Sequence, residues 1–128
     1  MPSNPIQPTG LPSCPMVREY LQYLKSTGRR SAHTMINYER DLFLLIKYLE
    51  ESGYGSPENQ PDYPLDVADT LALRGFITYL LERGNSARSI NRRLSALRSF
   101  FDYWVRRGRL DSNPTHALHF MKAPKRLP

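Results

Sequence analysis

The chain has 128 residues, 18 Lys and Arg against 12 Asp and Glu for a formal charge of +6, and 40% hydrophobic residues. That length supplies one buried core and is too short for two ordinary domains, which argues against a two-domain enzyme. A single Cys excludes an internal disulfide and a Cys-rich metal site, and no run approaches the roughly 18 apolar residues of a membrane span. The first fifteen residues hold five of the 11 prolines and lack the basic start and apolar run of a secretory signal. The expectation is a soluble cytoplasmic protein with a disordered lead over residues 1–15.

Helical periodicity begins after this lead. Val17, Tyr20, Leu21 and Leu24 share one face of a first predicted helix that Gly28 stops. Ser31 is a good N-cap for a second, in which Met35, Tyr38, Leu42, Leu45, Ile46 and Leu49 recur at steps of three and four until Gly53. Gly53 to Asp66 contains Pro57, Pro61 and Pro64 with Gly55 and Asn59, and reads as a loop throughout. A third helix runs from Asp69 or Thr70 to Arg83, burying Leu73, Phe76, Ile77, Leu80 and Leu81, with Gly84 as its stop. The fourth starts at the cap Ser86 and ends at Gly108, followed by a turn of helix near Pro114 to Leu118. No segment alternates with period two over strand length. The expected fold is all-α, a four-helix bundle.

The positive charge is concentrated at one end. Residues 1–85 hold eight Lys or Arg against ten Asp or Glu, a net of −2, whereas residues 86–128 hold ten against two, a net of +8. A cationic segment beside a near-neutral body is the footprint of a phosphate-binding surface, although charge alone equally fits a solvated basic face.

The fourth predicted helix makes this specific. At about 100° per residue, Arg88, Arg92, Ser95, Ser99 and Arg106 fall within about 40° of one line, and Ile90, Leu94, Leu97, Phe101, Trp104 and Val105 lie across the axis. From Ser86 to Phe101 there is no acid, so Arg88, Arg92, Arg93 and Arg98 repel one another unless a polyanion neutralises them. Ser86, Ser89, Ser95 and Ser99 are short donors that let a phosphate come close, and a helix fits the major groove of duplex DNA.

The second helix carries a weaker signal. His33, Asn37, Arg40 and Lys47 lie opposite its core stripe, and Arg29 and Arg30 precede its N-terminus, where backbone donors favour an anion. Asn37 can pair with adenine and Arg40 with guanine; Asp41, Glu50 and Glu51 also fit an ordinary mixed surface. His116 and His119 are three apart but have no third ligand type nearby, and Cys14 has no His beside it. No Gly-rich phosphate loop, paired carboxylates or Ser/His/Asp set stands out. The sequence therefore gives no metal site, no cofactor and no catalytic residue.

The string SARSINRRLSALRSFFDYWVRRG, preceded by SAHTMINYERDLFLLIKYLEESG and closed by NP and KAPKRLP, resembles the N-terminal core-binding domain of tyrosine recombinases, the XerC/XerD-like chromosome-dimer resolvases and phage integrases. The resemblance covers about residues 16 to 128. It implies a SAM-like four-helix bundle of two crossed helical hairpins whose second and fourth helices lie against double-stranded DNA. It further implies a contact set of Ser31, Thr34, Asn37 and Tyr38 on the second helix, and of Ser86, Arg88, Ser89, Asn91, Arg92, Arg93, Ser95 and Arg98 on the fourth. Lys122, Lys125 and Arg126 look like a basic linker over residues 119–128. In the family, cleavage uses a tyrosine and an Arg, Lys and His cluster of a C-terminal domain, and the resemblance implies that these catalytic residues lie outside the 128 residues. The expectation is a monomeric fragment without activity of its own, from a parent recombinase that partners other protomers in a synapse during chromosome partition and cell division. Two other readings stay open: a SAM-like protein-interaction module, and a free-standing DNA-binding protein.

Overall fold

The computed structural model describes residues 14–54 and 63–121. The lead up to residue 13 and the cations Lys122, Lys125 and Arg126 lie outside the described residues. The described residues form five helices and no strand: α1 Pro15–Thr27, α2 Ala32–Glu51, α3 Tyr63–Val67, α4 Thr70–Glu82 and α5 Ala87–Arg106. The chain is all-α, as its periodicity requires, and divides into two compact units, residues 1–68 and 69–128.

In the first unit, α1 starts at a proline, whose fixed φ and missing N–H suit the first helical position. Met16, Val17, Tyr20 and Leu24 are buried along its face. Gly28 closes it at φ 66, a left-handed conformation that a Cβ would oppose. Ser31 caps α2, its Oγ accepting from the Thr34 N–H at 3.1 Å. The buried residues of α2 are Asp41, Leu42, Phe43, Leu45, Ile46 and Leu49. Its first nine residues are all exposed or half-buried, including Met35 and Tyr38 of the apolar stripe. The core of this unit thus grips only the C-terminal half of α2, which packs against α1 and α3.

The reading of Gly53 to Asp66 as loop throughout is corrected, because residues 63–66 belong to α3. Pro64 stands in the first turn, where its missing N–H costs no helical bond, and five residues are too few to show a period.

In the second unit, Asp69 caps α4, its Oδ1 accepting from the Ala72 N–H at 2.8 Å. Ala72, Leu73, Phe76 and Leu80 are buried and Ile77 is half-buried. Leu81, expected in the core, is exposed, because it stands about 130° from the centre of that narrow stripe. Changing Asp69 to Ala removes the cap from a helix that bears none of the candidate contacts. The expected loss is about 1 kcal/mol of stability with unchanged ligand binding, as read by denaturant titration.

Ser86 caps α5, accepting from the Ser89 N–H at 3.1 Å. Ile90, Leu94, Leu97, Phe101 and Trp104 are buried as their spacing demands, Val105 of the same predicted face is only half-buried, and Ala96, Phe100 and Tyr103 extend the buried arc beyond it. Two edge-to-face pairs tighten this face: Phe100 with Phe101 at 5.3 Å and Tyr103 with Trp104 at 5.0 Å between ring centroids. After Gly108, at φ 82, the chain turns back. The expected turn of helix after residue 113 is two successive tight turns, His116 N–H to Asn113 O at 3.2 Å and Leu118 N–H to Thr115 O at 3.0 Å. Thr70 Oγ1 donates to Pro114 O at 3.0 Å, fastening this exit segment to the start of α4.

Candidate nucleic-acid interface

The acid-free stretch of α5 forms an outward ridge. Ser86, Arg88, Arg92 and Ser95 are exposed, and Ser89, Asn91, Arg93, Arg98 and Ser99 are half-buried. Among the described residues, no carboxylate pairs with Arg88. The nearest acid along the helix, Asp102, is already engaged, accepting from Asn113 Nδ2 and lying 2.9 Å from His116 Nε2. Arg88 to Ser99 covers roughly 16 Å of helix, about five base pairs of duplex. Arg106 closes the same line at the far end and is exposed.

Two residues assigned to this set by resemblance are occupied by the chain itself. Asn91 Nδ2 donates to Met121 O and its Oδ1 accepts from Met121 N–H, both at 2.7 Å. Arg98 donates through Nη2 to Leu118 O at 3.2 Å and to Thr115 O at 3.4 Å, beneath the Phe120 ring at 4.8 Å from its centroid. Its buried Nε meets no acceptor among the described residues. Its charge is held by carbonyl dipoles and a ring face, which a phosphate would have to displace.

The segment that occupies them is organised by Asn113. Its Nδ2 donates to Arg98 O at 3.0 Å and Asp102 Oδ1 at 2.9 Å, and its Oδ1 accepts from the N–H and hydroxyl of Thr115 at 2.8 and 2.6 Å. Asn113, Thr115, His116 and Phe120 were not singled out from the sequence as partners of α5, nor was Asp102 as the α5 residue that receives them. The Asn113-Pro114 dipeptide, a turn initiator, was the available signal.

Arg29, Arg30 and the cap Ser31 before α2 are exposed, as are His33 and Arg40 on it, and Thr34, Asn37 and Tyr38 are half-buried. Arg30 lies over the Tyr38 ring at 5.6 Å from its centroid, and Ser31 Oγ donates to Thr34 Oγ1 at 2.9 Å. These residues lie just before α2 and along its N-terminal half, while Lys47 stands exposed farther along the helix. Asp41, weighed as part of a mixed surface, is buried instead. Among the described residues no group of His, Cys, Asp and Glu could hold a metal, and no helix is long and apolar enough to cross a membrane.

The profile of the family described as "Phage integrase, N-terminal SAM-like domain" matches residues 17–108. The chain is 39% identical over 114 residues to tyrosine recombinase XerC of Xanthomonas axonopodis pv. citri, covering 88% of this chain and 37% of that protein. It is 35% identical over 109 residues to tyrosine recombinase XerC of Pseudomonas aeruginosa, covering 85% and 33%. Against tyrosine recombinase XerC of Escherichia coli O139:H28 the identity is 36% over 112 residues, covering 88% and 35%. The chain thus spans about a third of the length of the curated relatives it matches. No solved structure matches it.

Proposed function

Because the chain belongs to the family of phage integrase N-terminal SAM-like domains, we propose that it is the core-binding domain of a tyrosine site-specific recombinase. In this reading it holds one face of a recombination half-site on double-stranded DNA. The exposed start of α5 enters the major groove, Arg88 and Arg92 neutralising phosphates while Ser86, Ser89 and Ser95 keep the helix surface low enough for the backbone to approach. The N-terminal half of α2 and the residues just before it supply Arg29, Arg30, Ser31, His33, Thr34, Asn37, Tyr38 and Arg40 to the same duplex. Arg93, half-buried about 140° around the helix from the Arg88 line, is the more peripheral member of the α5 set. Lys122, Lys125 and Arg126 add charge along the linker. Strand cleavage belongs to a parent recombinase acting with other protomers in the cytoplasm, and no residue here is assigned a catalytic role.

The observation that carries this reading is the outward ridge of α5, free of acids from Ser86 to Phe101, opposite a buried face of aliphatic and aromatic side chains. Its test is a titration of duplex DNA at several salt concentrations. The logarithm of the binding constant should fall linearly with the logarithm of salt, with a slope of roughly −0.9 for each neutralised phosphate. Indifference to duplex DNA together with binding of an acidic protein would favour an interaction module instead.

A further inference from the structure

The α5 surface carries two polar lines, not one. Asn91, Arg98 and Asp102 fall about 60° from the Arg88 line, and each is bonded to the exit segment. Asp102 meets Asn113 and His116, Arg98 meets Thr115 and Leu118, and Asn91 meets Met121. As the chain advances from residue 113 to 121 its partners recede from residue 102 to 91. The segment therefore runs antiparallel along α5 for roughly 16 Å. It finishes beside the first turns of the helix, where Arg88 and Arg92 stand.

The last rung is a paired bond. One amide side chain satisfies both the N–H and the C=O of Met121, as a neighbouring strand would. Such a pair fixes the direction of a backbone as well as its position. Lys122 is the next residue in the chain, followed by Lys125 and Arg126.

We infer that Asn91 is a positioning residue, acting on DNA through the backbone of Met121, which it pins beside the arginine ridge, and not by touching a base. The pin rests on geometry alone. Its consequence for DNA rests on the reading of the preceding subsection. Holding the chain at this point raises the effective concentration of the three following cations at the phosphates that Arg88 and Arg92 meet. Asn91 therefore contributes to affinity while making its own hydrogen bonds entirely within the chain.

The test uses the full chain and breaks the same bond from both sides. Asn91→Ala removes the side chain from a half-buried helical position where Ala is well tolerated. Met121→Pro removes the N–H and leaves α5 untouched. In Asn91→Ala, hydrogen exchange at the Met121 amide should quicken by about tenfold with the α5 amides unchanged. Both variants should bind duplex DNA more weakly, by roughly three- to tenfold. Neither should cost anything further once Lys122, Lys125 and Arg126 are all Ala. Unchanged exchange in Asn91→Ala overturns the pin. A penalty for Asn91→Ala that persists in the neutral-tail background, with Met121→Pro harmless, means that Asn91 touches DNA itself and overturns the inference. A wild-type chain that ignores duplex DNA removes the recombinase reading and the consequence for DNA with it, while the exchange result still decides the pin.

Discussion

Replacing Arg88 and Arg92 together by Ala is expected to weaken duplex DNA binding by about 10- to 100-fold, and to make the salt slope shallower by roughly 1.8, or 0.9 for each lost phosphate contact. Both side chains are exposed on a helix whose opposite face is buried, so removing them opens no cavity in the core. The thermal midpoint should barely move, a surface change of this kind being worth about 0.5 kcal/mol or less. A fluorescence titration at two salt concentrations, with a melt of each variant, reads all three quantities. Unchanged affinity with unchanged slope would sink the assignment of this ridge to DNA, whatever the family.

The largest stability effect is expected at the paired aromatics of α5. Phe100→Ala and Phe101→Ala should each cost about 3 to 5 kcal/mol in denaturant titration, since both rings are fully buried and their loss leaves a cavity beside rigid neighbours. A small domain holds only about 5 to 15 kcal/mol in all, so either variant should be largely unfolded on mild warming. The comparison between the two is informative. Phe101 lies on the apolar line read from spacing, and Phe100 lies about 100° away, on a flank that the periodic pattern left open. Equal losses confirm that the buried arc of α5 is wider than its sequence stripe. A loss below about 1 kcal/mol at Phe100 would mean that this flank is not packed in solution.

Much of the fold was legible because its signals are local. Ser31, Asp69 and Ser86 each place a short acceptor ahead of an apolar run, and all three side chains accept the backbone N–H three residues on. Gly28 and Gly108 mark ends where the chain takes positive φ. Four of the five helices could be set within a residue or two on these grounds. The fifth, α3, was hidden because prolines dominate a stretch too short to show a period. Leu81 shows the reverse failure: apolar residues at helical spacing overfill a face, and only the width of the packed stripe decides which one is left outside.

For the candidate interface, the sequence by itself determined the helix faces, the concentration of charge in the last third and the family likeness. Each depends on residues a few positions apart or on composition, and survives without knowledge of where the chain goes next. Only the tertiary structure decided that Asp41 is interior, that the first nine residues of α2 include no buried one, and that Asn91 and Arg98 answer to the exit segment. The bonds that commit those last two span 30 residues at Asn91 and 17 and 20 at Arg98. A helical period says which way a side chain points, and the return path of a distant segment settles what it meets there.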